Sequence, residues 1–460
     1  MCCFVFVNFK QRFLIPDFAA SARLQMDKLG TSTFGQKPLE TTGDVLVLAR
    51  GRPCGPFSYI DPAANEYEEE RPPPVYLRLE DLNAPRQFGL AAIESDFRIR
   101  KTGELKLINE EIKEKQKGVI LDILKKATAL IIERKSFVNL SLPIRIFEPR
   151  SQIERICDAF HFFPHYMGLA VQTQDPAERI KLLLAAITAT LHHCLSQCKP
   201  FNPLLGETYQ GTLGPNVTLH LEHICHHPPV SAIYMAGPGF KVHGSWTYEA
   251  KMGPNKFETY SSGFTTLEFA DGMKIQFVLP FAQINGTVIG DRTFRFIHSF
   301  LAFEETSQTK GVVTFSDGKT SKNFIKNMFG GSGRIDFVKG AVYRYSRAAH
   351  EKLVGESWHK MLKDSDKLGD LEQDLCSVSG SWLEELAFGD KVYWNLGRDK
   401  DRYAQQKAAA HPLPSDMRFR EDLIWLFYRN ERAAQQWKLA LEATQRGNRE
   451  KRVKAGKALK

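Results

Sequence analysis

Several things are missing from this chain of 460 residues, and each absence closes a class of function. The apolar run at its start, MCCFVFV, is far too short to cross a bilayer and has no basic flank before it, so it reads neither as an anchor nor as a secretory signal. The eight cysteines (Cys2, Cys3, Cys54, Cys157, Cys194, Cys198, Cys225, Cys376) follow no regular framework and contain no CxxC pair. A disulfide scaffold is therefore not expected, and a reduced, cytoplasmic chain is. No G-x-S-x-G elbow offers a nucleophile. A basic body is missing too. The formal charge is +9, but the last fifteen residues, RGNREKRVKAGKALK, carry +6 of it and leave the rest at +3. That is a near-neutral protein with a basic tail, not a nucleic-acid platform.

Apolar content is 43%, enough for a sizeable core. Residues 1–85 show no sustained periodicity and include EYEEERPPP, which reads as a flexible or extended arm. Residues 86–118 lead in to the first clear helix. There, Ile120, Ile123, Leu124, Ala127, Leu130 and Ile131 recur at i, i+3, i+4 spacing and make an amphipathic helix. The stretch 178–198 is apolar nearly all round and should be a buried helix. From about 207 the signal turns to short β-branched and aromatic segments separated by Gly, Pro, Asn and Asp. Few helices intervene, so neighbouring strands should pair antiparallel into a barrel or strongly curved sheet. The charged segment 346–378 reads as an insertion, and DLIWLFYRNERAAQQWKLALEATQR as a closing helix. The fold class is α+β, mainly β.

Three short stretches carry chemistry. In KPFNPLLGETY, Lys199 leaves the buried helix and enters an irregular turn set by Pro200, Pro203 and Gly206. In EHICHHPP, His226 and His227 run into Pro228 and Pro229. Proline fixes φ and removes an N–H, so two donor-capable rings sit on a stiff, extended mount. In WKLALEATQR, Lys438, Glu442 and Arg446 lie four residues apart and share one helix face. Lysine supplies a point charge and arginine a bidentate fork, with Glu442 orienting both. If these stretches converge, they make a site for a ligand with more than one phosphate. Taken one at a time, they are a solvated lysine, a strand end and a surface ion-pair stripe.

KPFNPLLGE, EHICHHPPVSA and the closing PLPSDMRFREDLIWLFYRNERAAQQWKLALEATQR resemble, in order, the signature stretches of the oxysterol-binding-protein-related lipid transfer family. The similarity covers roughly 119–455. It implies a large incomplete antiparallel β-barrel over 119–445, with a central lipid tunnel, a lid helix at about 119–134 and a C-terminal helical region ahead of the basic tail 446–460. It also implies phosphatidylinositol 4-phosphate as a ligand, its head group at the tunnel mouth. The residues matching the family's head-group positions are Lys199, Asn202, Glu207, His226, His227, Lys438, Glu442 and Arg446. His223 and Cys225 stand where the family has Gln and Ser. No pleckstrin-homology domain or ankyrin repeat is recognisable before the core.

The expected function is an intracellular carrier that exchanges phosphatidylinositol 4-phosphate against a sterol, or alternatively phosphatidylserine, between membranes. It would work as a monomer, without cofactor, metal or nucleic acid, in peripheral contact with anionic membranes at contact sites. Two rivals come from other classes. A zinc site could draw on His192, His193, Cys194 and Cys198, or on His223, Cys225, His226 and His227; the ligand types fit but the spacing does not. An enzyme could use His226 or His227 as a base, but no nucleophile motif accompanies it.

Overall fold

The computed structural model describes residues 77, 82–83, 90–119, 142–253, 255–318 and 334–458. Its largest unit is one sheet of eighteen strands, every pairing antiparallel. The long strand Phe240–Met252 is its branch point. One side pairs with Pro229–Gly237, and beyond that lie Val217–His226, Thr208–Leu213 and Gln406–Ala408. Its other side divides. The first half pairs with Thr265–Phe269, which leads through six further strands to an edge at Lys391–Asn395. The second half pairs with Lys256–Ser262, which leads through Phe281–Asn285, Thr293–Ile297 and Leu105–Leu107 to Phe97–Ile99. The edges do not meet, so the barrel is incomplete.

The alternation in sequence explains the strands. In Val217–His226, Val217, Leu219, Leu221 and His223 are buried while Thr218, His220, Glu222 and Ile224 face outward. The helix Pro176–Thr190 is buried on almost every side, as its composition requires. It starts where the Asp175 carboxylate accepts from the Ala177 N–H and Pro176 supplies a preset φ. It packs on Thr309–Phe315 because Gly311 has no side chain: a Cβ there would lie 2.6 Å from Ile180 Cγ2 and from Leu184 Cδ1.

This helix is shorter than its apolar run. It ends at Thr190, not at 198. The hydroxyls of Thr188 and Thr190 turn back onto the carbonyls of Leu184 and Ile187. The next residues are pulled into separate aromatic sockets: His192 beside Trp382 and Trp394, His193 beside Phe162 and Tyr403. Cys194 and Cys198 are thus off the helix.

The insertion expected at 346–378 is also shorter. Helices Arg347–Val354 and Trp358–Asp364 leave the sheet, but Leu371–Ser381 is a full strand paired with Phe337–Tyr345. Its first residues are exposed, which hid it among charges. A buried cluster anchors the return: Asp370 Oδ2 accepts from Lys310 Nζ at 2.7 Å and Asp370 Oδ1 from the Tyr343 hydroxyl at 2.7 Å.

The lead-in 86–118 is no mere linker, because its ribbon Phe97–Ile99 with Leu105–Leu107 belongs to the sheet. The end of the expected arm is docked as well. Leu77 is buried and donates its N–H to Arg418 O, and Asn83 Oδ1 accepts from the Ala408 N–H. The arm residues other than 77, 82 and 83, and the expected lid residues Ile120 to Ile131, lie outside the described residues. Among the described residues, no helix is long and apolar enough to cross a membrane.

Candidate functional site

Two cavities lie back to back. One, of about 220 Å³, is lined mainly by apolar and aromatic side chains, among them Ile156, Ile187 and Leu191 from helical segments and Trp246, Tyr260 and Phe296 from the sheet. The other, of about 340 Å³, is the more polar of the two: a cluster of charged and polar groups lines it together with Phe147, Phe201, Leu204, Leu205, Ile224 and Leu441. The short strand Lys199–Phe201, paired in parallel with Phe147–Ser151, runs between them. Pro200 lines the apolar cavity, whereas Phe201 and Asn202 line the polar one.

The polar pocket gathers most of the expected residues. Asn202, His226, His227, Lys438, Glu442 and Arg446 all line it. His226 and His227 come from the tight hairpin between Val217–His226 and Pro229–Gly237. A register shift between His223 and Cys225 bulges the strand just before them and re-aims the pair. Lys438, Glu442 and Arg446 come from the helix Glu431–Ala458. Lys438 Nζ donates to Glu442 Oε1 at 2.6 Å, and the other oxygen of Glu442 lies 3.9 Å from Arg446. One carboxylate thus holds both cations on one face.

Two expected residues stand behind the wall. Lys199 is fully buried, donates to Pro200 O and to Asn202 Oδ1, and sits 4.9 Å above the Phe147 ring that also faces Lys438 at 5.3 Å. Glu207 is fully buried and out of the pocket. It accepts from the Ser151 hydroxyl, from the Leu204 N–H at 2.8 Å and from Arg420 at 2.8 Å. Glu207 therefore locks the turn whose Gly206 has φ +81°, a conformation side chains resist.

Five charged or amide lining residues were missed: Arg420, Asp422, Gln445, Arg449 and Arg452. The closing segment is two helices, Glu421–Phe427 and Glu431–Ala458, broken at Arg429 with φ +63°. The second helix runs on through the basic tail, so Arg449 and Arg452 continue the face of Lys438, Glu442 and Gln445. Extending the i, i+3/i+4 count past 446 would have found them. Arg420 carries no such signal.

The electrostatics are one-sided. Five cations line the pocket against Asp422 and Glu442. Burial, helped by His227 and the nearby arginines, pushes His226 down to about 4, and burial, helped by His226, Arg420 and His227, pushes His223 to about 3. His227 is lowered by burial and Arg449. At neutral pH these rings are uncharged N–H donors among fixed cations, an arrangement suited to a multiply charged anion. Among the described residues, no three His, Cys, Asp or Glu side chains are grouped as metal ligands.

The family model for oxysterol-binding protein matches residues 132–460. The chain belongs to the oxysterol-binding protein family. Within that family it is 29% identical over 347 residues to oxysterol-binding protein 9 of Dictyostelium discoideum, covering 75% of this chain and 78% of the relative. It is 26% identical to oxysterol-binding protein-related protein 3B of Arabidopsis thaliana, over 69% of this chain and 68% of that one. Two crystal structures share the family fold. The Osh3 ORD from Saccharomyces cerevisiae, in complex with PI(4)P, superposes with a TM-score of 0.53 at 21% identity, covering 72% of this chain and 84% of its own. The Osh1 ORD domain in complex with ergosterol gives 0.53 at 17%, covering 70% and 78%.

Proposed function

We propose that this protein is a lipid carrier, not an enzyme, which takes up a phosphatidylinositol 4-phosphate with its head group in the polar pocket and its chains in the apolar cavity. The observation that carries this reading is the pair of cavities separated by one strand. An amphiphile with a multiply phosphorylated head fits that division, and a soluble anion would leave the apolar side unused. Burying lipid chains gains about 25 cal/mol for each Å² removed from water. The carrier would act in the cytoplasm, at the surface of anionic membranes. A sterol is the second cargo we favour, because a relative of the same fold is known with ergosterol bound. A shared cavity would make the two lipids compete, so exchange would follow their gradients.

The test is extraction of labelled phosphatidylinositol 4-phosphate from liposomes, with mass spectrometry of the lipid recovered. Wild type should extract it unchanged, sterol should compete, and His226→Ala with His227→Ala should abolish uptake without unfolding. Uptake at the wild-type level by the folded double variant would refute the anion role. Recovery of a chemically altered lipid would make the protein an enzyme.

A further inference from the structure

Behind His226 lies a short chain of hydrogen bonds that ends in a buried hydroxyl. His226 Nδ1 is 3.1 Å from His223 Nε2, and His223 Nδ1 is 3.0 Å from Ser231 Oγ. His223 and Ser231 are both fully buried and face each other across the paired strands. We infer that Ser231 and His223 fix the proton of His226 on Nε2, so that its uncharged ring donates a hydrogen bond to the phosphate in the pocket. This deepens the lipid reading above and depends on it for the identity of the phosphate.

The polarity follows from the hydroxyl. Two neutral imidazoles in series can carry their protons in either of two directions. In one, Ser231 donates to His223 Nδ1, His223 Nε2–H donates to His226 Nδ1, and His226 keeps its proton on Nε2. In the other, every bond reverses and His226 Nε2 becomes an acceptor, which a phosphate oxygen would repel. Ser231 Oγ has no other hydrogen-bond partner among the described residues. The reversed chain would therefore strand a hydroxyl hydrogen in a fully buried place. That loss biases the two directions by roughly ten-fold or more. His226 Nε2 has no hydrogen-bond partner among the described residues, and His226 lines the pocket. The donor end of the relay is thus left for the ligand. Burial keeps both rings neutral near pH 7, so the relay needs no charged imidazole.

The test reads the proton itself. In full-length protein labelled with ¹⁵N-histidine, His226 is assigned by the loss of its signals in His226→Ala. Without any lipid, wild-type His226 should be roughly nine-tenths or more in the Nε2–H form. Ser231→Ala and His223→Leu should erase that preference. His223→Gln should keep it, because a side-chain amide still donates to Nδ1. Extraction of phosphatidylinositol 4-phosphate should fall several-fold in the first two variants and hold in the third. A wild-type His226 protonated on Nδ1, or a Ser231→Ala protein with the preference intact, overturns the relay. The wild-type spectrum decides even where a variant does not fold. A correct tautomer with no extraction by wild type would sustain the relay and refute the lipid.

Discussion

Replacing Arg420 by methionine should test how the pocket is built from below. Arg420 is nearly fully buried. Its guanidinium donates to Asp422 through two nitrogens at 3.1 and 2.8 Å, to Glu207 at 2.8 Å and to the Asn202 carbonyl at 2.8 Å. It therefore ties the turn that presents Asn202 to the start of helix Glu421–Phe427. Methionine keeps most of the stem but leaves two buried carboxylates without their cation. Breaking a buried pair this way costs about 3–5 kcal/mol. Glu207 would keep the Ser151 hydroxyl and the Leu204 N–H, and Asp422 the Leu423 N–H, so the lower half of that range is expected. The loss should depend on pH. Burial already raises the Glu207 carboxyl above its ordinary 4.5, with Arg420 the largest influence pulling it back. Without Arg420 it rises further. A raised carboxyl leaves stability intact below the unfolded value and removes it as pH climbs toward the folded one, about 1.4 kcal/mol per unit. Urea unfolding of variant and wild type at pH 5.5 and pH 8 gives both differences. A loss under about 1 kcal/mol, or the same loss at both pH values, would refute the reasoning.

Acid should weaken the wild type. His223 and His226 titrate near 3 and 4 when folded, against an ordinary 6.5. Stability should be full above 6.5 and fall by up to about 1.4 kcal/mol per pH unit per ring as pH drops toward 4, because only the unfolded chain takes up those protons. Flat urea midpoints from pH 6.5 to 4.5 would contradict this. Removing residues 449–460 takes Arg449 and Arg452 out of the pocket wall. Binding to anionic liposomes should drop and lose salt dependence, at about 1 kcal/mol per basic residue near the surface; head-group capture in detergent should weaken too. Equal liposome binding at low salt would exclude the tail. Gly311→Val should cost about 1–3 kcal/mol by forcing Ile180 and Leu184 off the strand. An unchanged melting midpoint would mean that the helix has room to spare.

The local patterns were the most legible part of this chain. The paired histidines, the Lys438–Glu442–Arg446 face and the antiparallel strands follow from spacing and residue type alone, and the family resemblance put them in one place. What stayed hidden depends on contacts between distant segments. Glu207 matches a head-group motif but spends its oxygens on Ser151, Leu204 and Arg420, and no local pattern says that those groups surround it. The buried helix gives way at Thr190 because Trp382 and Trp394, some two hundred residues on, receive His192. Residues 371–378 look like a loop because that strand is exposed, and only its pairing with Phe337–Tyr345 reveals it.

The strand Lys199–Phe201 has a consequence for what the molecule can hold. Adjacent residues on a strand point to opposite faces and advance about 3.3 Å. Pro200 faces the oily side and Phe201 the charged side, so the frontier between the two compartments is one peptide thick. Such a frontier works as a ruler. On the lipid reading proposed above, an amphiphile would be accepted only where its own boundary between water-loving and water-fearing parts falls on that line. A molecule displaced by one residue's length would push charge into oil or hydrocarbon among arginines. Selection would then be made by the position of the boundary along the lipid, with the length of the tail left free.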